Sequence, residues 1–301
     1  MKRYDAILSA FRGSIWAILP EKLEAIAAFL DNRIGGLAVD GVLVEKMAAE
    51  NRGRKTAISR SVAVVPVVGM ITQRADLLTD FSGGVSTERL GKDIEALVND
   101  PEVGAIILDI DSPGGNYTGT PELAEKVYGL RGRKPLVAIA NGMAASAAYW
   151  LATATDEVVV TPSGEVGSVG VLAIHYDMSA MNADLGITPT YVTYGRYKAE
   201  FNPDAPLAPE AAAELQRRVN EAGDTFVKAL AKQRRTLQSN VRENYGQGRV
   251  FGAEEAVARG MADRIDTLEA TISRLASGKA VGKGGRKTNL ERERLYQAGL
   301  R

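Results

Sequence analysis

Residues 103–115 read VGAIILDIDSPGG and residues 136–150 read LVAIANGMAASAAYW. Each stretch opens on a short, almost unbroken apolar run and closes in a turn of small residues. A strand covered on both faces has that composition, so both runs are read as buried strands of a parallel sheet. Val62–Val68 (VAVVPVV) is a third such run. Between it and the 103–110 run, Leu90, Ile94, Leu97 and Val98 mark one face of a helix that starts near Ser86 and Thr87. A second helix is announced by Thr120 as N-cap, Pro121 at the first position and Glu122 behind it. Strands are expected at Leu136–Ala140, Glu157–Val160, Ser168–Ala173 and Thr190–Tyr194. A long helix follows from Pro209, with Leu215, Val219, Ala222, Phe226 and Leu230 on one stripe. Phe251–Gly260 reads as a short helix and Met261–Ile265 as an extended segment. The alternation predicts an α/β fold, a mostly parallel sheet flanked by helices.

The 301 residues allow one large α/β domain with appendages or two modest ones. Thirty-seven basic residues balance thirty-seven acidic ones, so no global field exists for gripping nucleic acid or a membrane surface. Cysteine is absent, which removes disulfides, thiolate zinc sites and cysteine nucleophiles. His175 is the only imidazole, so a zinc site built on two histidines is excluded and a Ser-His-Asp triad would have to use it. No GxGxxG, phosphate loop or HExxH motif occurs, and neither a cofactor nor a metal is expected.

Outside the alternating region, residues 1–49 read as small helices, with Leu23, Ile26, Ala27 and Leu30 at helical spacing behind Pro20 and Glu21. Arg12 breaks the apolar N-terminal stretch, and no window reaches the roughly 18 uncharged residues of a spanning helix. The expectation is a cytoplasmic protein without a membrane anchor. Residues 50–61 (ENRGRKTAISRS) read as a basic linker. The stretch 278–301 carries seven Lys/Arg against two acids and reads as a mobile basic tail. The alternating α/β body is assigned to residues 62–277.

The chemistry is expected at the two strand-end turns. Paired glycines in Asp111-Ser112-Pro113-Gly114-Gly115-Asn116 let the backbone turn with positive φ and present bare N–H groups. In Asn141–Trp150, small residues crowd around one hydroxyl, Ser146, where a helix begins. Turns at adjacent crossovers can offer a nucleophile and oxyanion donors to one point. A serine nucleophile needs a base. The candidates are His175, at the end of the Ser168–Ile174 run, and Lys198, in Tyr194-Gly195-Arg196-Tyr197-Lys198-Ala199. A lysine serves only when desolvation favours its neutral form, and Tyr197 and the Ala-rich helix are the walls in view.

With these motifs in place, the chain resembles the signal peptide peptidase A family of Ser-Lys serine peptidases, which share the Clp protease/crotonase-type fold. The resemblance rests on DSPGG at 111–115, NGMAASAAYW at 141–150, GSVGV at 167–171, GRYKAEFNP at 195–203 and GRVFGAEEAVARGMADRID at 248–266. It covers roughly residues 62–268. It implies Ser146 as nucleophile and Lys198 as general base. The N–H groups of Gly114 or Gly115 and of Ala147 would form the oxyanion hole, and the Ser168 hydroxyl would orient the lysine amine. The implied reaction is peptide hydrolysis through an acyl-enzyme, in a homo-oligomer whose dyad is completed between neighbouring subunits. WAILPEKLEAI at 16–26 is similar to the leading segment of phage head-maturation (prohead) proteases. That likeness implies scaffold or capsid proteins as polypeptide substrates, inside an assembling prohead. Ala147 and Ala148 stand where glycines are common in membrane-anchored members.

Overall fold

The structure is a computed structural model that describes residues 14–34, 56–59, 61–74 and 84–278. Its central sheet is built on three parallel strands, β3 (Val62–Val68), β6 (Ala105–Ser112) and β8 (Leu136–Ala145). β1 (Trp16–Ile18), β2 (Ala57–Ser59), β4 (Ile71–Thr72), β5 (Val85–Ser86) and β7 (Gly114–Asn116) complete the first half of the strand set. They are followed by β9 (Glu157–Val160), β10 (Glu165–Gly167), β11 (Val250–Gly252) and β12 (Arg264–Ile265). The helices are α1 (Pro20–Ile34), α2 (Thr87–Asn99), α3 (Thr120–Gly129), α4 (Ala147–Thr153), α5 (Ser179–Asp184), α6 (Pro209–Arg234), α7 (Gln238–Asn244), α8 (Ala253–Ala258) and α9 (Leu268–Ala276).

The large sheet runs β11-β10-β8-β6-β3-β2, with β9 also on β8 and β12 on β9. Side chains alternate along each strand, and both faces are covered. Ile106, Leu108 and Ile110 of β6 join Ala138 and Ala140 of β8 in the main core with Leu90, Ile94, Leu123, Val127, Trp150, Phe226 and Leu230 of the helices. Ala105 and Ile107 face the other way, with Val137, Ile139 and Val159, and are covered by Leu275 of α9. This is why these strands read as continuous apolar runs.

Trp150 of α4 stacks on Phe226 of α6, ring centroids 4.3 Å apart and planes 6° from parallel, and both side chains are buried. Phe226→Leu removes that stack at nearly constant hydrophobicity. We expect it to cost about 1–2 kcal/mol, read as a lower urea midpoint at unchanged m-value.

Several expected boundaries move. Within the region read as helices, α1 forms from Pro20, but Trp16–Ile18 is a strand, paired antiparallel with β7. A strand of three residues carries no period of its own; its partner defines it. Ala57–Ser59, inside the supposed linker, pairs antiparallel with the first residues of β3. Its side chains are exposed, as an edge strand permits. The Ser168–Ala173 strand is displaced to Glu165–Gly167. The chain leaves the sheet at Gly167 and Ser168, both at positive φ, and only Leu172 bridges onward, to Trp16. Residues 190–194 form no strand and lie exposed. Gly119, at φ 88°, is the cap of α3 in place of Thr120, whose hydroxyl donates to the Asn116 carbonyl at 2.8 Å. Phe251 belongs to β11, antiparallel to β10. The 278–301 tail falls almost wholly outside the described residues. Among the described residues, no helix is long and apolar enough to cross a membrane.

Candidate active site

β8 is longer than its sequence signal because it changes neighbours halfway. Val137–Ala140 pair with β9, whereas Met143–Ala145 pair with β10. The switch occurs at Asn141-Gly142, where Gly142 has φ 112° and an added Cβ would lie 2.8 Å from a carboxylate oxygen of Asp111. The Asn141 amide donates to Asp109 at 3.0 Å, and the β6–β8 register shifts between Ile110 and Ser112. A register break of this kind re-aims the strand end. It carries Ala145 and Ser146 to the place where β6 turns into β7.

Ser146 sits between β8 and α4 at φ 52°, ψ −115°. A non-glycine residue held there is strained, and such strain persists only where neighbours fix it. They do. Its N–H donates to the Gly167 carbonyl at 2.8 Å, and its carbonyl accepts from the Trp150 N–H at 2.9 Å. Its hydroxyl donates to the Gly170 carbonyl at 3.3 Å, and the residue is wholly buried.

Gly114 meets Ser146 directly. With φ at 103°, an added Cβ would stand 3.0 Å from Ser146 Cβ, 3.0 Å from the Ala145 carbonyl oxygen and 2.3 Å from that of Ala17. At Gly115 a Cβ would fall 1.9 Å from the Ile71 carbonyl oxygen. Both positions exclude any side chain, which explains the glycine pair. The Ser112 hydroxyl fixes the turn: it donates to the Gly69 carbonyl at 2.6 Å and accepts the Gly114 N–H at 3.2 Å. Ala147, the first residue of α4, is buried beside Ser146. Ser168 is buried too, at φ 53°, its N–H donating to the Arg249 carbonyl at 2.7 Å.

Gly114, Gly115, Ser146, Ala147 and the Gly167–Gly170 segment that carries Ser168 are therefore brought together. Lys198 is not among them. Its side chain is exposed, and its N–H donates to the Gly195 carbonyl at 3.2 Å. The apolar wall expected from Tyr197 is also missing. That phenol turns to Glu210 at the start of α6, donating at 3.0 Å, and this hydrogen bond pushes its pKa up. Arg196 pairs with the same carboxylate at 3.1 Å. The arm around Lys198 exposes Leu185, Ile187, Tyr191, Val192 and Tyr194, with Val192 94% accessible. His175 stands elsewhere, its Nε2 3.2 Å from the Ala205 carbonyl oxygen. A cavity of about 630 Å³ opens beside Val169, Gly170 and Val171, walled by Val219, Gly223 and Val227 of α6.

Sequence reading missed two members of this site. Gly170, whose carbonyl holds the Ser146 hydroxyl, lies in the GSVGV motif but has no reactive side chain to mark it. Ala17, whose carbonyl reaches Gly114, belongs to a segment read as helix.

A buried serine on a strained strand-to-helix turn, pressed against a glycine pair at the neighbouring strand end of a parallel sheet, places the chain among proteins of the Clp protease/crotonase-type fold. A family model for peptidase family S49 matches residues 130–282, and the chain belongs to that family. It is 30% identical over 234 residues to the head-tail preconnector protein GP5 of Enterobacteria phage P21, covering 77% of this chain and 46% of that protein. It is 28% identical over 239 residues to the capsid assembly protease C of Escherichia phage lambda, covering 76% and 54%. Protease 4 of Salmonella typhi is 26% identical over 195 residues, covering 64% and 31%. The chain spans about half the length of the two phage relatives.

Proposed function

We propose that this chain is a serine endopeptidase working through a Ser146–Lys198 dyad, with polypeptides of an assembling phage head, scaffold or capsid, as substrates. The observation that carries the reading is Ser146 itself, buried and strained against Gly114. Family membership and the names of the two phage relatives support the substrate class. In the proposed cycle, Ser146 Oγ attacks the scissile carbonyl carbon while its proton passes to the neutral Lys198 amine. The oxyanion is held by N–H groups of Gly114 or Gly115 and of Ala147. Lys198 then protonates the leaving amine, and water, deprotonated by the same amine, hydrolyses the acyl-enzyme. Ser168 orients the amine.

Lys198 is exposed in the single chain, on an arm with an uncovered apolar surface. Such a surface calls for a partner. A second copy of the chain is the proposed one, and it would both cover the arm and desolvate the amine. The enzyme then works as a homo-oligomer in the cytoplasm of a bacterial host or within the prohead.

Prolonged reaction of the assembled protein with a fluorophosphonate serine probe, followed by intact mass, tests this. One adduct is expected, lost in Ser146→Ala and Lys198→Ala and kept in His175→Ala. Labelling that depends on His175 would move the mechanism to a histidine base. An adduct that survives in Ser146→Ala would remove the nucleophile assignment.

A further inference from the structure

The segment Ser14–Leu19 lies against the candidate nucleophile as an extended strand. On one edge it pairs antiparallel with β7, in the register Trp16↔Asn116, Ala17↔Gly115 and Ile18↔Gly114. The Tyr117 N–H donates to the Ile15 carbonyl and the Leu19 N–H to the Pro113 carbonyl, each at 3.1 Å. On its other edge Trp16 exchanges both backbone hydrogen bonds with Leu172, at 2.8 and 2.9 Å. That bridge is a single one, and two residues before Leu172 in the chain stands Gly170, whose carbonyl accepts the Ser146 hydroxyl. The strand is therefore held between β7 and the bridge to Leu172, with the Ala17 carbonyl against Gly114.

The side chains alternate as the backbone does. Trp16 and Ile18 enter a small apolar cluster with Leu23, Ala27 and Met70, against Leu172 and Ile174. Ala17 points the other way, into the main core. Without this segment, one edge of β7 and the backbone of Leu172 would each stand unpaired, placed to take one extended chain. Addition of a strand to open edges is a general mode of peptide recognition.

We propose that Ser14–Leu19 is a resident occupant of the peptide groove. It competes with substrate for the edge of β7, and it marks the groove as a site for extended apolar peptides with a small residue at the place of Ala17. This rests on Ser146 being the nucleophile. A substrate would then enter only in the fraction of molecules whose strand has left, and the apparent affinity falls by that fraction.

Trp16 and Leu172 face each other in a hydrogen-bonded antiparallel pair, and their Cα spacing of about 5.5 Å suits a disulfide. The sequence has no cysteine, so the full-length Trp16→Cys/Leu172→Cys variant can form only this bridge within one chain. Fluorophosphonate labelling of its oxidised and reduced forms is compared, with Ser146→Ala in the same background as control. The oxidised form is expected to label at least about tenfold more slowly than the reduced form. A synthetic peptide SIWAIL should slow the reduced form, and SIWWIL should not. Full-length Trp16→Ala/Ile18→Ala, a second route to a loosened strand, should label faster than wild type. Equal rates in all forms, with the adduct absent from the Ser146→Ala control, would overturn the resident strand and leave the nucleophile standing. An adduct that persists in the control, or none in any form, would overturn the nucleophile and this proposal with it.

Discussion

Mixing Ser146→Ala chains with Lys198→Ala chains is expected to restore roughly a quarter of the wild-type peptide-hydrolysis rate, because random pairing of two chain types makes that share of sites complete. Each variant alone should fall by about 10⁴-fold or more, as when one member of a nucleophile–base unit is removed. The expectation follows from where the two residues lie. Ser146 is wholly buried at the end of β8, with its hydroxyl on Gly170, while Lys198 is exposed on an arm tied to α6 by Glu210. A dyad closed within one chain predicts no recovery on mixing. Hydrolysis of a fluorogenic peptide, measured before and after the two proteins are dissociated and reassembled together, separates the two outcomes.

The largest effect on stability is expected at Arg234, the last residue of α6. Its guanidinium, with only 3% of the side chain exposed, donates to Asp263 at 2.8 and 2.9 Å and to the Gly260 carbonyl at 2.9 and 3.2 Å. Asp263 in turn accepts the Val158 N–H at 2.9 Å, and the Tyr149 hydroxyl donates to the neighbouring Met261 carbonyl at 2.8 Å. The pair thus ties α6 to the turn that leads into β12. Burial is the largest influence on the guanidinium and opposes its charge, but the charge and hydrogen bonds of Asp263 outweigh it, so its pKa lies above the normal arginine value. The raised folded-state value and the unfolded value both lie above any working pH. The contribution is therefore present throughout the neutral range and would fade only in strong alkali. Arg234→Met removes the buried guanidinium that makes two hydrogen bonds to Asp263 and two to the Gly260 carbonyl. A loss of about 3–5 kcal/mol is expected, measured by denaturant titration. An effect below about 1 kcal/mol, the range of an exposed ion pair, would contradict this account.

Much of this architecture is legible in the residues, and the exceptions share a cause. β3, β6 and β9 announce themselves because a strand buried on both faces must be apolar throughout. α6, a helix of 26 residues, does so because its stripe repeats from Leu215 to Leu230. The glycine turn and the serine turn were visible because steric exclusion leaves its mark on residue type. Gly114 and Gly115 have no room for a Cβ. β1 was hidden since three residues carry no periodicity, and its strand character comes from Gly114–Asn116 across the groove. Ser168–Ala173 looked like a strand from its β-branched content, yet the chain turns out of the sheet at Gly167, where an added Cβ would sit 2.5 Å from the Arg249 carbonyl oxygen. That contact is between residues more than 80 positions apart, and no local pattern encodes it. Lys198 stands out by its motif, and in one chain its side chain is exposed.

The twelve residues from Ala144 to Thr155 are all buried, so α4 is a helix with no outward side. Most helices keep a wet face on which sequence can drift at little cost. This one has none, and Ala147, Ala148 and Ala152 leave no slack that a larger side chain could fill. Variation around the serine must therefore arrive in matched pairs, one change on α4 and its complement on the strand or helix across from it. The part of the chain nearest the proposed chemistry is also the part least free to change one residue at a time.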